Sequence, residues 1–340
     1  MASKIFKVLA VIPLLQCACY GQLIDIDIKI DDGLCSSSSQ DVDVLTTLYT
    51  NLTYAPITAD ANTVATAPFS GYDELVVIIP DYHVPSDSAE ITGLRNALLR
   101  ANRFLNIIVA DIRPVLSALV GFVGAVVDGV LQVANGLLRL LRIVNASRNE
   151  IRKTRAIGVG LGAQIAGKLG SLLLLEGLVF DRVTALSPQG PLFDEPLIST
   201  QVGTFVEVYH SNSGVLGHVA LLGHLDIILS DGKLQPHCPS AAYPNANLCS
   251  LIHSLLYYTQ IQNGQSVVGK KCIELGLSFP DPINNCQQTY SLFGLLDVVV
   301  KAATCEFGGG ELVTIGRGND LSLPSGSVVQ VSADVLLRLL

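Results

Sequence analysis

Hydrophobic and polar positions divide this chain into distinct kinds of stretch. Residues 23–32 alternate strictly, with Ile24, Ile26, Ile28 and Ile30 set against Asp25, Asp27, Lys29 and Asp31. That is the period of a strand with one polar face, suited to a sheet edge. A serine run at 36–39 reads as a loop. After a strand-like run at 44–49 come two short, apolar, β-branched runs at 75–79 and 105–110, the second broken only by Asn106. Apolar character concentrated over so few residues fits strands buried on both faces of a parallel sheet. Further strands are predicted at 182–186 and 204–209, with helices around 165–176 and 250–261. Strands alternating with helices predict an α/β fold, a doubly wound, mostly parallel sheet with helices on both faces. No internal repeat and no linker is evident before the glycine-rich segment at 308–310, and a tail with apolar runs follows it.

One stretch needs a separate decision. From Pro114 to Leu138 the only charge is Asp128, between Arg113 and Arg139. Twenty-five such residues are long enough for a bilayer span. Asp128, Gln132, Asn135 and the glycines at 121, 124, 129 and 136 argue against that. So do the apolar strands on either side, and the expectation is a crossover helix packed on the sheet, with no transmembrane span.

Composition sharpens the picture. The 340 residues are 49% hydrophobic and 15% charged, with 21 basic against 29 acidic side chains and a net charge of −8. Soluble domains usually carry about 25% charged residues, so an apolar excess needs an explanation: an oily ligand, a homo-oligomer or a membrane. High hydrophobicity excludes intrinsic disorder, and the acidic balance disfavours nucleic acid as a partner. Residues 1–21 read as a secretory signal: Lys4 and Lys7, an apolar run from Val8 to Leu15, and the small Gly21 before a cut at Gln22. Losing two lysines and no acid takes the mature chain to −10. The expected location is extracellular.

Export makes disulfides possible, and the mature chain keeps Cys35, Cys238, Cys249, Cys272, Cys286 and Cys305. Spacing favours two short loops, Cys238–Cys249 and Cys272–Cys286, which leaves Cys35–Cys305 by elimination. Two sequons, at Asn51 and Asn145, are candidate glycan sites.

The chemistry centres on Gly158-Val159-Gly160-Leu161-Gly162, between a predicted strand and a helix beginning near Ala163. As a dinucleotide fingerprint it lacks the required glycine spacing and acidic partner. As a nucleophile elbow, G-x-S-x-G, it has the right frame with glycine at its centre. At this point a set of blocks resembles the animal pancreatic-lipase family, in the short single-domain form typical of insect lipases and phospholipases A1. The blocks are Leu48 to Asn51, Val77 to Tyr82 against an I-H-G-F turn, and Val109-Ala110-Asp111. Gly158 to Gln164 stands against G-H-S-L-G-A-H, and Thr184 to Phe193 against T-G-L-D-P-A-G-P-L-F. Phe205 to Ser211, Gly223 to Asp226, Gln235 to Cys238 and Cys249 to Leu251 complete the match. The resemblance implies an α/β-hydrolase domain over 22–307, followed by a C-terminal tail over 308–340.

Carried over position by position, the family's serine falls on Gly160, its aspartate on Ser187 and its histidine on Leu251. None can serve as nucleophile, orienting carboxylate or base. Loss of nucleophile or base alone typically costs about a million-fold in turnover. Pro80-Asp81 stands where the oxyanion turn has His-Gly, and an acid there would repel a developing oxyanion. His210 and His224 match ordinary family blocks and read as structural. His253 is a candidate relocated base, with no serine on the elbow to activate. His218 and His224 have no acidic or cysteine partners at metal-ligand spacing, so no metal and no catalytic cofactor is expected.

Three function classes therefore compete. The first is a secreted carrier of a lipid, isoprenoid or pigment, with Tyr82, Gly160, Leu161, Ser187, Leu251 and Tyr243 lining the former site. It draws on the uncharged lid segment from Pro239 to Leu248 between two cysteines, which could cover an apolar cavity without desolvating an ion. The second is a storage or structural protein by analogy with insect yolk proteins; one Met and no Trp make a poorly balanced nutrient store. The third is a lipase or phospholipase A1 with a relocated triad.

Overall fold

The computed structural model describes residues 42–117, 128–191, 193, 195–239, 245–275, 302–304, 312–315 and 325–331. The signal segment, the alternating run at 23–32, Tyr243, Cys35, Cys286 and Cys305 lie outside the described residues.

Seven parallel strands form the middle of the sheet. In spatial order they are β13 (Ser327–Val331), β8 (Leu225–Leu229), β7 (Gly203–His210), β6 (Phe180–Leu186), β5 (Lys153–Val159), β3 (Glu74–Ile79) and β4 (Asn106–Asp111). Antiparallel strands extend both ends. Beyond β4 lie β1 (Leu45–Tyr49) and β2 (Tyr54–Ile57), and beyond β13 lie β9 (Val267–Lys271) and β12 (Leu312–Ile315). A separate short pair joins β10 (Ile273–Leu275) to β11 (Ala302–Thr304). The doubly wound, mostly parallel sheet expected from the sequence is therefore present.

The continuous apolar runs follow from burial on both faces. Along β3, Leu75, Val77 and Ile79 enter one core while Val76 and Ile78 enter the other. The first core is covered by α1 (Ala61–Thr66), α4 (Val130–Ser147) and α5 (Leu161–Leu175), the second by α2 (Ala89–Ala101) and α6 (Ala246–Gln262). Ser88 caps α2 by accepting from the Ile91 N–H, and Glu90 and Arg100 sit at the ends of α2 that favour their charges.

Two expectations change. The apolar stretch beginning at Pro114 does not end its helical course at Leu138: α3 covers Arg113–Ser117, and α4, packed on the sheet, runs on to Ser147. The arginines at 139 and 142 do not stop α4 because Leu140, Leu141 and Val144 keep the apolar face buried. Arg142 instead pairs with Glu176 across the surface. Among the described residues no helix is long and apolar enough to cross a membrane. The second change concerns the tail after residue 307, whose described parts include β12 and β13 of the main sheet. β13 is inserted between β8 and β9, with Val328 and Val329 fully buried.

The winding reverses between β3 and β5: β4 lies on one side of β3, and β5 to β8 run away on the other. The carboxyl ends of strands at such a reversal form the natural crevice of this architecture.

Candidate functional site

Gly160 and Ser187 stand at that crevice, directly after β5 and β6. β5 ends at Val159 and α5 starts at Leu161, so the whole reversal of direction is made at Gly160, with φ 53° and ψ −114°. A positive φ suits glycine, and two close approaches make the neighbouring glycines necessary as well. A Cβ on Gly162 would overlap the Ile79 carbonyl where α5 crosses β3, and one on Gly158 would overlap Ala163. The backbone of a nucleophile elbow is intact.

Its immediate surroundings are set by Asp81. Asp81, just beyond the end of β3, is 2% exposed and turns its carboxylate into the elbow. Its Oδ2 accepts the Leu161 N–H at 2.9 Å. Its Oδ1 accepts the His83 N–H at 2.9 Å and lies 3.1 Å from His83 Nδ1. Leu161 N–H is the first free donor of α5, and an unsatisfied helix N-terminus attracts an anion. In an elbow enzyme the N–H following the nucleophile binds the oxyanion. Here a permanent carboxylate has taken that donor. The same carboxylate fills the space of a side chain at position 160, where an added Cβ would come within 2.8 Å of Asp81 Cγ and closer still to Oδ2.

Ser187 follows β6 with φ 48° and is 1% exposed. Its N–H donates to the Tyr209 carbonyl at 2.8 Å, and its hydroxyl has no hydrogen-bond partner among the described residues. The Gly160 N–H donates to the Leu186 carbonyl at 2.9 Å, and the Gln189 N–H to the Gly160 carbonyl at 3.1 Å, so the turns after β5 and β6 are tied together. Leu251 on α6 is 2% exposed and belongs to the same core as Val159 and Leu186. Of the other candidate lining residues, Leu161 is buried in the opposite core and Tyr82 stands partly exposed beside His83.

The histidines have other duties. His210 Nε2 lies 2.7 Å from Asp226 Oδ1, and both residues are buried. Asp226 also accepts the N–H groups of Leu222 and Gly223, each at 3.0 Å, and so closes the loop before β8. His224 Nδ1 accepts the Val206 N–H at 3.0 Å, and His218 Nδ1 the Ala220 N–H at 3.0 Å. His253 on α6 has Nδ1 3.0 Å from the Cys249 carbonyl, and burial holds its pKa below the usual imidazole value. It lies beside Cys238 and Cys249, the one trio among the described residues with metal-ligand proximity, but those sulfurs are joined in a disulfide and offer no thiolate. Cys272 is also disulfide-bonded, to a cysteine outside the described residues. Asn51 and Asn145 are both exposed, the first in the turn between β1 and β2 and the second in the last turn of α4.

Two residues with prominent roles here were not among the candidates read from the sequence. From the sequence Asp81 stands only as an obstacle to an oxyanion, and no motif marks His83. The available signal was the acid in the oxyanion turn coinciding with a glycine at the elbow centre.

The model of the family described as Lipase matches residues 16–261. The chain belongs to the lipase family. Lipase member H of Mus musculus is 37% identical over 123 residues, covering 34% of this chain and 27% of that protein. Lipase member H of Danio rerio is 30% identical, covering 43% and 33% respectively, and phospholipase A1 member A of Bos taurus is 27% identical, covering 43% and 33%. The match thus spans about a quarter to a third of the length of these curated relatives. Among solved structures, the dienelactone hydrolase of Anabaena variabilis aligns with a TM-score of 0.34 and 12% identity, covering 66% of this chain and 94% of that chain. The sheet order, the reversal between β3 and β5 and the elbow after β5 are those of an α/β-hydrolase fold.

Proposed function

We propose that this lipase-family chain is a secreted, non-hydrolytic protein that holds a hydrophobic small molecule, a lipid, isoprenoid or pigment, at the crevice where its relatives are named as lipases and phospholipases. The observation that carries the non-hydrolytic part is the Asp81 carboxylate on the Leu161 N–H. Acyl transfer develops negative charge on the substrate oxygen, and stabilising that charge needs a preorganised donor. A buried carboxylate already bound there removes the donor and adds repulsion. Gly160 supplies no nucleophile, Leu251 no base and Ser187 no carboxylate. The His210 ring, committed through Nε2 to Asp226, gives no support to a relocated triad.

Ligand holding draws support from the apolar Leu251 where the family keeps its histidine, and from an uncharged lid sequence between Cys238 and Cys249. Export draws support from the apolar leader and from the disulfides. The test has two arms. Purified protein is expected to hydrolyse p-nitrophenyl butyrate no faster than a heat-inactivated sample; turnover above that control overturns the non-hydrolytic reading. Natively purified protein is expected to release a stoichiometric hydrophobic molecule on organic extraction, detected by absorption and mass spectrometry, and its absence overturns the carrier reading.

A further inference from the structure

Far from the elbow, at the opposite edge of the sheet, the turn between β1 and β2 borders a cleft of about 670 Å³. Asn51 is on its rim, and Tyr49, Tyr54, Arg95, Leu99 and Arg100 help to line it. Asn51-Leu52-Thr53 is a sequon, and it occupies the tip of a tight four-residue loop. The loop is closed by the Thr50 N–H to the Thr53 carbonyl at 2.8 Å, with Thr50 Oγ1 accepting the Thr53 N–H at 3.3 Å. Tyr49 and Tyr54 face each other across the pair of strands, their rings stacked with centroids 5.7 Å apart. The Arg95 guanidinium lies 4.2 Å from the centre of the Tyr49 ring.

We propose that Asn51 carries an N-linked glycan whose first sugars lie back into this cleft. A pyranose ring has an apolar C–H face and a polar hydroxyl rim. Tyr54, 70% exposed, and Leu52, 91% exposed, offer apolar surface beside the attachment point. Arg95 and Arg100 on α2 also line the cleft, and beyond the bonds they give to Asn96 and Asn263 each guanidinium keeps further N–H donors for the hydroxyl and acetamide oxygens. The arrangement also answers a liability. Among the described residues β2 is the outermost of the eleven strands of the sheet, and a sheet edge invites pairing with another chain. A bulky, hydrated group at the tip of that strand blocks such pairing. Asn145, in contrast, lies within the helical last turn of α4.

The proposal rests on export through the secretory route, and the experiment separates the two. The full chain, expressed in a eukaryotic host that glycosylates, is recovered from the medium and mapped by peptide mass spectrometry before and after PNGase F. Amide exchange is then compared between the glycosylated and enzymatically stripped forms. The expected result is a PNGase-sensitive glycan on Asn51, lost in both Asn51→Gln and Thr53→Ala, with slower exchange in residues 49–54 and 95–100 when the glycan is present. Exported protein with unmodified Asn51 overturns the proposal and leaves export standing. Protein retained in the cell with residues 1–21 attached overturns both. A glycan on Asn51 whose removal leaves exchange at 95–100 unchanged overturns its seat in the cleft.

Discussion

Two buried carboxylates stand near strand ends, one just after β3 and one at the start of β8, and each is held the same way. Asp81, after β3, accepts two backbone N–H groups and faces a histidine; Asp226, on β8, does likewise. Their surroundings differ. Asp226 and His210 are both buried, and the N–H groups they fix belong to the loop leading into β8. Asp81 is buried, but the side chain of its partner His83 is 54% exposed, and one of its N–H groups is the first donor of α5. The two are solutions to one problem, unsatisfied backbone donors at the ends of elements. At Asp226 the outcome is a closed loop. At Asp81 the same solution consumes the donor on which hydrolase chemistry would depend.

Breaking the more buried of the two should have the largest effect. Asp226→Ala leaves two N–H groups and the His210 ring without their partner inside the core, and about 3 kcal/mol or more of stability should be lost. Urea unfolding followed by circular dichroism measures it; a loss below about 1 kcal/mol would contradict the role assigned to this carboxylate.

Next comes the collision at the elbow. Gly160→Ser must relieve overlap with Asp81 and adopt a positive φ, a combination expected to cost about 2–3 kcal/mol. Adding Asp81→Gly should return part of that loss, so that the double-mutant cycle shows a coupling of about 1–2 kcal/mol. Additive effects would mean that the two residues do not compete for the same space. Ester hydrolysis should stay at background in the double variant, because Leu251 and Ser187 still supply neither base nor carboxylate.

The smallest effect sharpens the difference in exposure. The hydrogen bond to Asp81 raises the His83 pKa above its ordinary 6.5. Its contribution is therefore fully present below about pH 6.5 and fades as pH rises through the raised folded-state value. His253 runs in the opposite sense: burial lowers its pKa, so its contribution is present above about pH 6.5 and fades as pH falls through the lowered value. His83→Ala should thus narrow its stability gap to the parent protein between pH 6 and pH 8. The gap should be a fraction of a kcal/mol, since solvent screens a half-exposed pair. A gap that widens toward pH 8, read from urea midpoints, would reverse the assignment.

How far the sequence could be read depended on how local each determinant was. β3 and β4 announce themselves because strands buried on both faces need apolar runs such as Leu75 to Ile79 and Ile107 to Ala110. β5, β6 and β7 are legible over their apolar halves, with Arg155, Arg182 and Glu207 interrupting them. Gly158, Gly160 and Gly162 stand out because backbone crowding excludes larger residues. α2 gave no such signal; Gly93 and polar residues dilute its apolar face of Ile91, Leu94 and Leu98. The Asp81–Leu161 bond joins residues 80 apart, and no spacing rule reaches that far. The three triad positions were readable through resemblance. What fills their place was not, because the filling group comes from another strand's end.

The position of β13 bears on how the molecule comes into being. Val329 pairs with Ile227, which precedes it by roughly 100 residues, and the sheet between β8 and β9 has no continuity until β13 arrives. During synthesis β8 therefore emerges long before its partner and waits as a bare edge, the kind of intermediate that aggregates. Loss of residues 325–331 by premature termination or proteolysis would leave that wait unended. Quality control of this chain then has a late checkpoint, and an intact elbow at the centre of the sheet is no assurance that it has been passed.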